Sequence, residues 1–161
     1  MSHEIRQAAI QQLLSTLHET LAWYDLPDSV LAGSYAPKKW TGREILVHLS
    51  DSEAVLLDRL RRLAAEEKPV LVAFDENRWA DTLFYSRRDL NLSKLQYEAA
   101  RRSVLEMART LDAGVDARIG THSVAGTRTF GWVLEHVASH NAHHLEQLRA
   151  IAAGRTWTPK S

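Results

Sequence analysis

Apolar residues recur at intervals of three and four along four separate stretches of the chain, the spacing that lines one face of an α-helix. The first stretch carries Ile5, Ala9, Leu13, Leu17, Leu21 and Tyr24 and stops before Pro27. The second carries Ile45, Leu49, Leu56, Leu60 and Leu63. It opens on Thr41-Gly-Arg-Glu44, where a hydroxyl and a carboxylate three residues apart form a capping box over the first helical amides. The third runs from Leu92 to Leu111, opened by Ser93 with Gln96 three positions on, and is closed by Gly114. The fourth runs from Phe130 to Ala153, with Val133, Val137, Leu148 and Ile151 on one stripe, and ends at Gly154. No stretch alternates with a period of two and none carries a hairpin dipeptide, so no sheet is expected. The pattern predicts an all-α fold, a four-helix bundle forming a single domain over residues 1–161.

The connections differ in length. A link with Pro27, Gly33 and Pro37 joins the first two helices, whereas Lys68 to Asn91 joins the second and third and carries Phe74, Trp79, Phe84 and Tyr85. Connections that long are unusual in compact domains, and the aromatics predict either a pocket wall or lid, or a loop anchored on the bundle.

Composition narrows the function. With 45% hydrophobic and 25% charged residues the chain has the makeup of a folded globular protein. Lys plus Arg and Asp plus Glu are 20 each, for a formal charge of zero. Nothing there attracts nucleic acid or an acidic membrane. Near-neutrality is compatible with self-association. The chain has no cysteine, which removes disulfides, thiolate ligands and a cysteine nucleophile. Its start lacks the order of a signal peptide. The longest apolar run, Val70 to Phe74, is too short to span a bilayer, and a cytoplasmic location is the expectation.

The fourth helix contains the unusual chemistry. His136, His140, His143 and His144 place four of the chain's eight histidines within nine residues. Histidines four apart on a helix project side by side and can close on one metal ion. At about 100° per residue, His144 lies about 20° and His140 about 60° from the stripe centred on Val137. His136 and His143 fall about 100° and 120° away, on the flank. The first pair should therefore face the interior. On the second helix His48 lies about 100° from Leu49, at the edge of its stripe, with Asp51 at the next turn as an acceptor for an imidazole N–H. His3 and His18 are expected to be ordinary packed or solvated residues, and His122 a loop residue.

Trp40-Thr-Gly-Arg-Glu-Ile-Leu-Val-His48-Leu-Ser-Asp51-Ser-Glu53 and the later His140-Asn-Ala-His143-His144-Leu-Glu-Gln147 resemble the DinB/YfiT-like metalloenzyme superfamily. The likeness extends over nearly the whole chain, including Phe74-Asp-Glu-Asn-Arg-Trp79 and Gly120-Thr-His-Ser-Val-Ala-Gly126. Members are four-helix bundles, often dimers, that hold a divalent metal with one histidine from the second helix and an H-x-x-x-H pair from the fourth. By position the resemblance implies His48, His140 and His144 as ligands of one divalent ion per chain. Zn, Ni, Fe, Cu and Mn are not distinguished by it. It also implies a homodimer. Its members with assigned roles include bacillithiol- and mycothiol-dependent S-transferases and a mycothiol-dependent maleylpyruvate isomerase, while metal-dependent hydrolysis is proposed for many others.

Three neutral imidazoles leave the ion its full charge and an open position, suited to activating a small thiol or water. The expectation is a small-molecule enzyme, with thiol transfer narrowly ahead of hydrolysis and a non-catalytic metal-binding dimer as the rival. Asp51, Glu53 and Gln147 are the nearest polar groups by sequence, candidates for a base or an orienting partner. Gln147 falls about 80° from the stripe, where an ordinary surface glutamine is equally at home. Arg59, Arg61, Arg62, Arg87, Arg88, Arg101 and Arg102 form pairs that match a substrate carboxylate, but the interleaved acids favour surface solvation. The chain has no Glu-x-x-His, H-E-x-x-H, G-x-S-x-G or phosphate-loop sequence, so di-iron, zincin, serine-hydrolase and nucleotide-binding designs are set aside.

Overall fold

The computed structural model describes residues 1–159, with Lys160 and Ser161 outside the described part. The four predicted helices are present as α1 (His3–Tyr24), α3 (Gly42–Ala65), α5 (Leu90–Thr110) and α6 (Phe130–Ala152). They form a four-helix bundle in which α1 and α3 sit diagonally, each packed against both α5 and α6. The stripes meet as drawn from sequence: Leu13, Leu17, Ile45, Leu49, Leu60, Leu63, Val104, Val133, Val137 and Leu148 are buried in one core. Among the described residues no helix is long and apolar enough to cross a membrane.

Local chemistry sets the helix ends. The Thr41 hydroxyl accepts from the Glu44 amide at 3.3 Å, and the Glu44 carboxylate accepts from the Thr41 amide at 2.8 Å, closing the expected capping box. On α5 the expected cap at Ser93 is one turn too late. Asp89 caps instead, accepting from the Asn91 and Leu92 amides, and Ser93 is buried. A carboxylate satisfies two orphan amides where a hydroxyl reaches one, so the acid takes the position. Nor does Gly114 close α5. The helix ends at Thr110 and Gly114 lies in a short 3₁₀ turn, Ala113–Ala117. The Pro27 link holds a single helical turn, α2 (Asp28–Leu31).

The expectation of no sheet is corrected by a small three-stranded one: β1 (Val70–Leu71), β2 (Ile119–His122) and β3 (Gly126–Thr129). Strand β1 pairs parallel to β2, with Val70 opposite Thr121, and β2 pairs antiparallel to β3, with Gly120 opposite Arg128. Strands of two and four residues are too short to show an alternation in sequence. The hairpin turns at Gly126, whose φ of 73° favours a residue without a side chain. Gly120 lets β2 run against Pro69, where a Cβ would come within 2.9 Å of the proline. The Arg118 guanidinium donates to the Leu63 and Glu66 carbonyls, so the sheet fastens the C-terminal end of α3 beside the start of α6.

The long connection is built rather than loose. It contains β1, a helix α4 (Glu76–Thr82) capped by Asp75, and a 3₁₀ turn at Tyr85–Arg87. Tyr85 and Ala80 bury against Val47 on the outer face of α3, while Phe74 and Trp79 pair at 4.5 Å. A cleft of about 880 Å³ opens between this segment and α3, walled by Val55, Val72, Phe74, Trp79 and Leu83. Tyr85 therefore anchors the segment and Phe74 and Trp79 wall a pocket, whereas Phe84 is exposed and does neither.

Candidate metal centre

His48 comes from the second turn of α3, and His140 and His144 from successive turns of α6. His48 is fully buried and His144 nearly so, and His140 is the most accessible of the three. Their ring nitrogens converge. His140 Nε2 lies 3.2 Å from His48 Nε2 and 3.2 Å from His144 Nε2, and the three donor atoms all fall within 4.8 Å of one another. Nitrogens held 2.0–2.1 Å from one tetrahedral ion stand about 3.3 Å apart, so the observed spacing fits the expected group.

Proton placement agrees. The Gln147 side chain is buried, and its Oε1 lies 2.8 Å from His144 Nδ1. A carboxamide oxygen only accepts, so His144 carries its proton on Nδ1 and turns an Nε2 lone pair into the cluster. The Gln147 amide nitrogen then donates to His143 Nε2 at 3.2 Å. At 3.2 Å the His140 nitrogen stands close enough to each of the other two to share either a proton or a cation with it. His48 Nδ1 is buried without a partner, a cost of about 1–3 kcal/mol that the fold accepts in order to place Nε2. Trp40 covers this side, 4.8 Å from the His48 ring and stacked toward His144 at 6.4 Å.

Of the remaining residues expected here, Gln147 is the one brought to the cluster. Asp51 does not reach an imidazole. It is held by Arg88 at 3.2 and 3.3 Å and by Gln96, at the near edge of the cleft. Glu53 turns the other way, into the core, where it pairs with Arg101 at 2.6 Å. This also corrects the expectation of a solvated Arg101, which is fully buried. Helix phase explains Glu53, which stands about 140° around α3 from His48. Asp51 is only about 60° away, and its bonds to Arg88 and Gln96 are what hold it from the imidazole. His143 is exposed on the flank, as the wheel predicts, and His18 is exposed. His122 sits at the end of β2, its Nδ1 accepting from the Val124 and Ala125 amides. Trp40 was not singled out from sequence. Its place immediately before the Thr41 cap, eight residues ahead of His48, was the available signal.

Burial and the neighbouring His144 push His48 down to about 3. Burial lowers His144 to about 4 despite the Gln147 contact, and lowers His140 well below its usual range with help from the other imidazoles. In the unfolded chain each titrates near 6.5. Below that pH the unfolded chain takes up protons that the folded, metal-free protein refuses. Stability is thus fully present above about 6.5, and its loss is complete only once the folded-state values near 3–4 are passed. At about pH 5.5, His48 and His144 together should cost the metal-free protein roughly 3 kcal/mol. Denaturant unfolding in chelator at neutral and mildly acid pH checks this. Equal stabilities would show that the imidazoles are not held neutral.

Comparison with known proteins matches this architecture. The model of the DinB superfamily covers residues 7–148, and the chain belongs to that family. A relative from Oceanobacillus iheyensis is 29% identical over 133 residues, 83% of this chain and 77% of its own. Another, from Bacillus cereus, is 22% identical over 158 residues, covering 98% and 91%. Both are provisionally named metal-dependent hydrolases. Among solved structures, YfiT from Bacillus subtilis superposes with a TM-score of 0.86 at 23% identity, over 97% of this chain and 91% of its own. It is described as a probable metal-dependent hydrolase with an unusual four-helix bundle topology, and at that identity the likeness establishes the fold.

Proposed function

We propose that the protein is a mononuclear metalloenzyme acting on a small molecule, with His48, His140 and His144 as the ligands of one divalent ion. The observation that carries this reading is the convergence of three Nε2 atoms at metal-ligand spacing, one of them fixed in the ligating tautomer by Gln147. A structural ion usually has four protein donors, and among the described residues no carboxylate joins this group, so the donor set favours an open position and catalysis. When bound, such an ion lowers the pKa of a coordinated water to about 7, or of a thiol into the neutral range.

The chain's own residues supply the rest. Gln147 orients His144, Trp40 and the core exclude water from two sides, and the cleft beside α3 offers an apolar berth for substrate. Asp51 and Glu53 are engaged by Arg88 and Arg101, so neither is free to serve as a general base. That favours a nucleophile the ion itself deprotonates; a thiol, which starts at about 8.5 where water starts at about 15.7, needs less help, and this keeps transfer of a small thiol narrowly ahead of hydrolysis. The relatives' hydrolase names favour water. The fully metallated protein decides between them when offered bacillithiol, mycothiol and glutathione with a model electrophile, and separately esters and amides. We expect metal-dependent thiol conjugation that chelator removes. Turnover of esters or amides alone would assign hydrolysis, and no turnover of either kind would end the enzyme reading.

A homodimer built on helix faces belongs to the same proposal, supported by the zero formal charge. Light scattering at micromolar concentration should give twice the chain mass, and a monomer mass would end that part.

A further inference from the structure

Two half-buried arginines outside the histidine cluster carry donors that the protein leaves unmet. Arg59 lies eleven residues beyond His48, on the same stripe of α3, and its side chain leans back toward the helix N-terminus. It lines the cleft, and one guanidinium nitrogen donates to the Val72 carbonyl at 2.8 Å. Arg128 comes from β3, just before α6. Its guanidinium lies 4.5 Å over the Trp132 ring and donates to the Thr127 carbonyl. Trp132 stacks on His136 at 5.1 Å, and His136 is 5.7 Å from His140. Arg59 reaches the residue that follows β1, and Arg128 stands on the other outer strand of the same sheet, since Leu71 pairs with His122 and Gly120 with Arg128. Burial first, and then both arginines acting through space, lower the pKa of His122 and of His136.

The arginines' partners are incomplete. The Nε atom of each is buried and has no hydrogen-bond acceptor. Among the described residues neither arginine forms a salt bridge; Glu76 and Asp58 act on Arg59 only through space. A buried, unsatisfied donor on a charged group is costly, and costlier when duplicated beside a like charge. Elsewhere in this chain the buried arginines are fully matched: Arg6 to Asp116 and Arg101 to Glu53. Arg59 on the wall of the apolar cleft and Arg128 across the sheet therefore carry donors that the protein's own groups do not satisfy.

We propose that Arg59 and Arg128 form an anion subsite outside the three-histidine cluster, one that holds the carboxylate of a substrate whose apolar body occupies the cleft. A carboxylate suits the site better than a dianion, because Glu76 already offsets part of the Arg59 charge. Eleven helical residues set the Arg59 and His48 backbones about 16 Å apart along α3, so the reacting bond lies at the far end of the acid from its carboxylate. That the bound acid is the substrate rests on the metal-centre reading; that the two arginines bind an anion does not.

The test uses the full chain, metal-free in chelator, with 4-phenylbutyrate as probe. We expect the Arg59 and Arg128 Nε–H resonances to shift at millimolar acid, and 4-phenylbutanamide, neutral and of the same shape, to bind at least about tenfold more weakly. Arg59→Gln and Arg128→Gln should each abolish the preference for the acid. Arg62→Gln, at the same cleft but already paired with Asp58 and Glu66, should keep it. His144→Ala should also keep it, so a failed metal centre would leave this result standing. The proposal is overturned if neither resonance moves in the wild-type protein, if acid and amide bind alike, or if phenyl phosphate binds more tightly than the carboxylate.

Discussion

Replacing His144 with alanine should abolish binding of a divalent ion, whereas replacing His143, its immediate neighbour, should leave affinity within a few-fold of the parent. The two imidazoles are one residue apart and about 100° apart around α6. His144 points its Nε2 at His140 with its Nδ1 proton committed to Gln147. His143 is exposed and meets the far side of Gln147 at 3.2 Å, the Trp157 ring at 4.7 Å and the edge of the His144 ring at 5.2 Å, and among the described contacts none of its nitrogens meets His48 or His140. Losing one imidazole of three should weaken binding by more than about a hundredfold, since loss of an outer partner alone costs 10–100-fold. On that scale Gln147→Leu should fall between the two, because the His144 ring stays but nothing selects its tautomer. Metal content after dialysis, and calorimetric titration of the metal-free protein, measure all three variants. Equal loss in His143→Ala and His144→Ala would show that a different pair holds the ion. Helical signal should survive metal removal at neutral pH, because the four stripes bury a core that includes no ligand. A chelator that unfolded the bundle would make the ion structural.

The second large effect is on stability. Arg101 and Glu53 are sealed in the bundle centre with 0% and 3% side-chain exposure, joined by two hydrogen bonds of 2.6 and 2.7 Å. The guanidinium also donates to the Thr16 hydroxyl and the Leu13 carbonyl and lies 5.3 Å from the Tyr97 ring centre. Three helices are thereby tied at one level. Beside this pair Asn141 joins α6 to Tyr97 and Thr20 through bonds of 2.6 and 3.0 Å. Glu53→Ala leaves a buried cation with no partner and should cost about 3–5 kcal/mol, lowering the melting temperature by roughly 10 °C. Arg101→Met alone should cost as much, by stranding the carboxylate. The two combined, with Glu53→Leu, should recover most of the loss, because an apolar pair of similar volume removes both desolvation costs. Metal affinity should stay near that of the parent in the double variant. A shift of only a degree or two in either single variant would mean that water reaches the pair.

Much of the architecture was legible in the chain itself. Period-three-and-four stripes of leucine, valine and isoleucine specify long amphipathic helices whatever surrounds them, and Thr41 with Glu44 marks a helix start through contacts three residues apart. His140 and His144 were assigned inward by the same arithmetic, because angular position on a helix is a local property. What the tertiary structure decided involves groups distant in sequence. His48 lay at the margin of its own stripe, and only the packing of α3 against α6 places its Nε2 3.2 Å from that of His140. Glu53 and Asp51 read as site acids while their partners, Arg101 and Arg88, were unknown, and no periodicity announces a partner 48 or 37 residues away. The sheet escaped notice because its short strands exist only through pairing with one another. Local periodicity is written residue by residue, whereas charge pairing, ligand convergence and strand pairing belong to helices and strands already brought together.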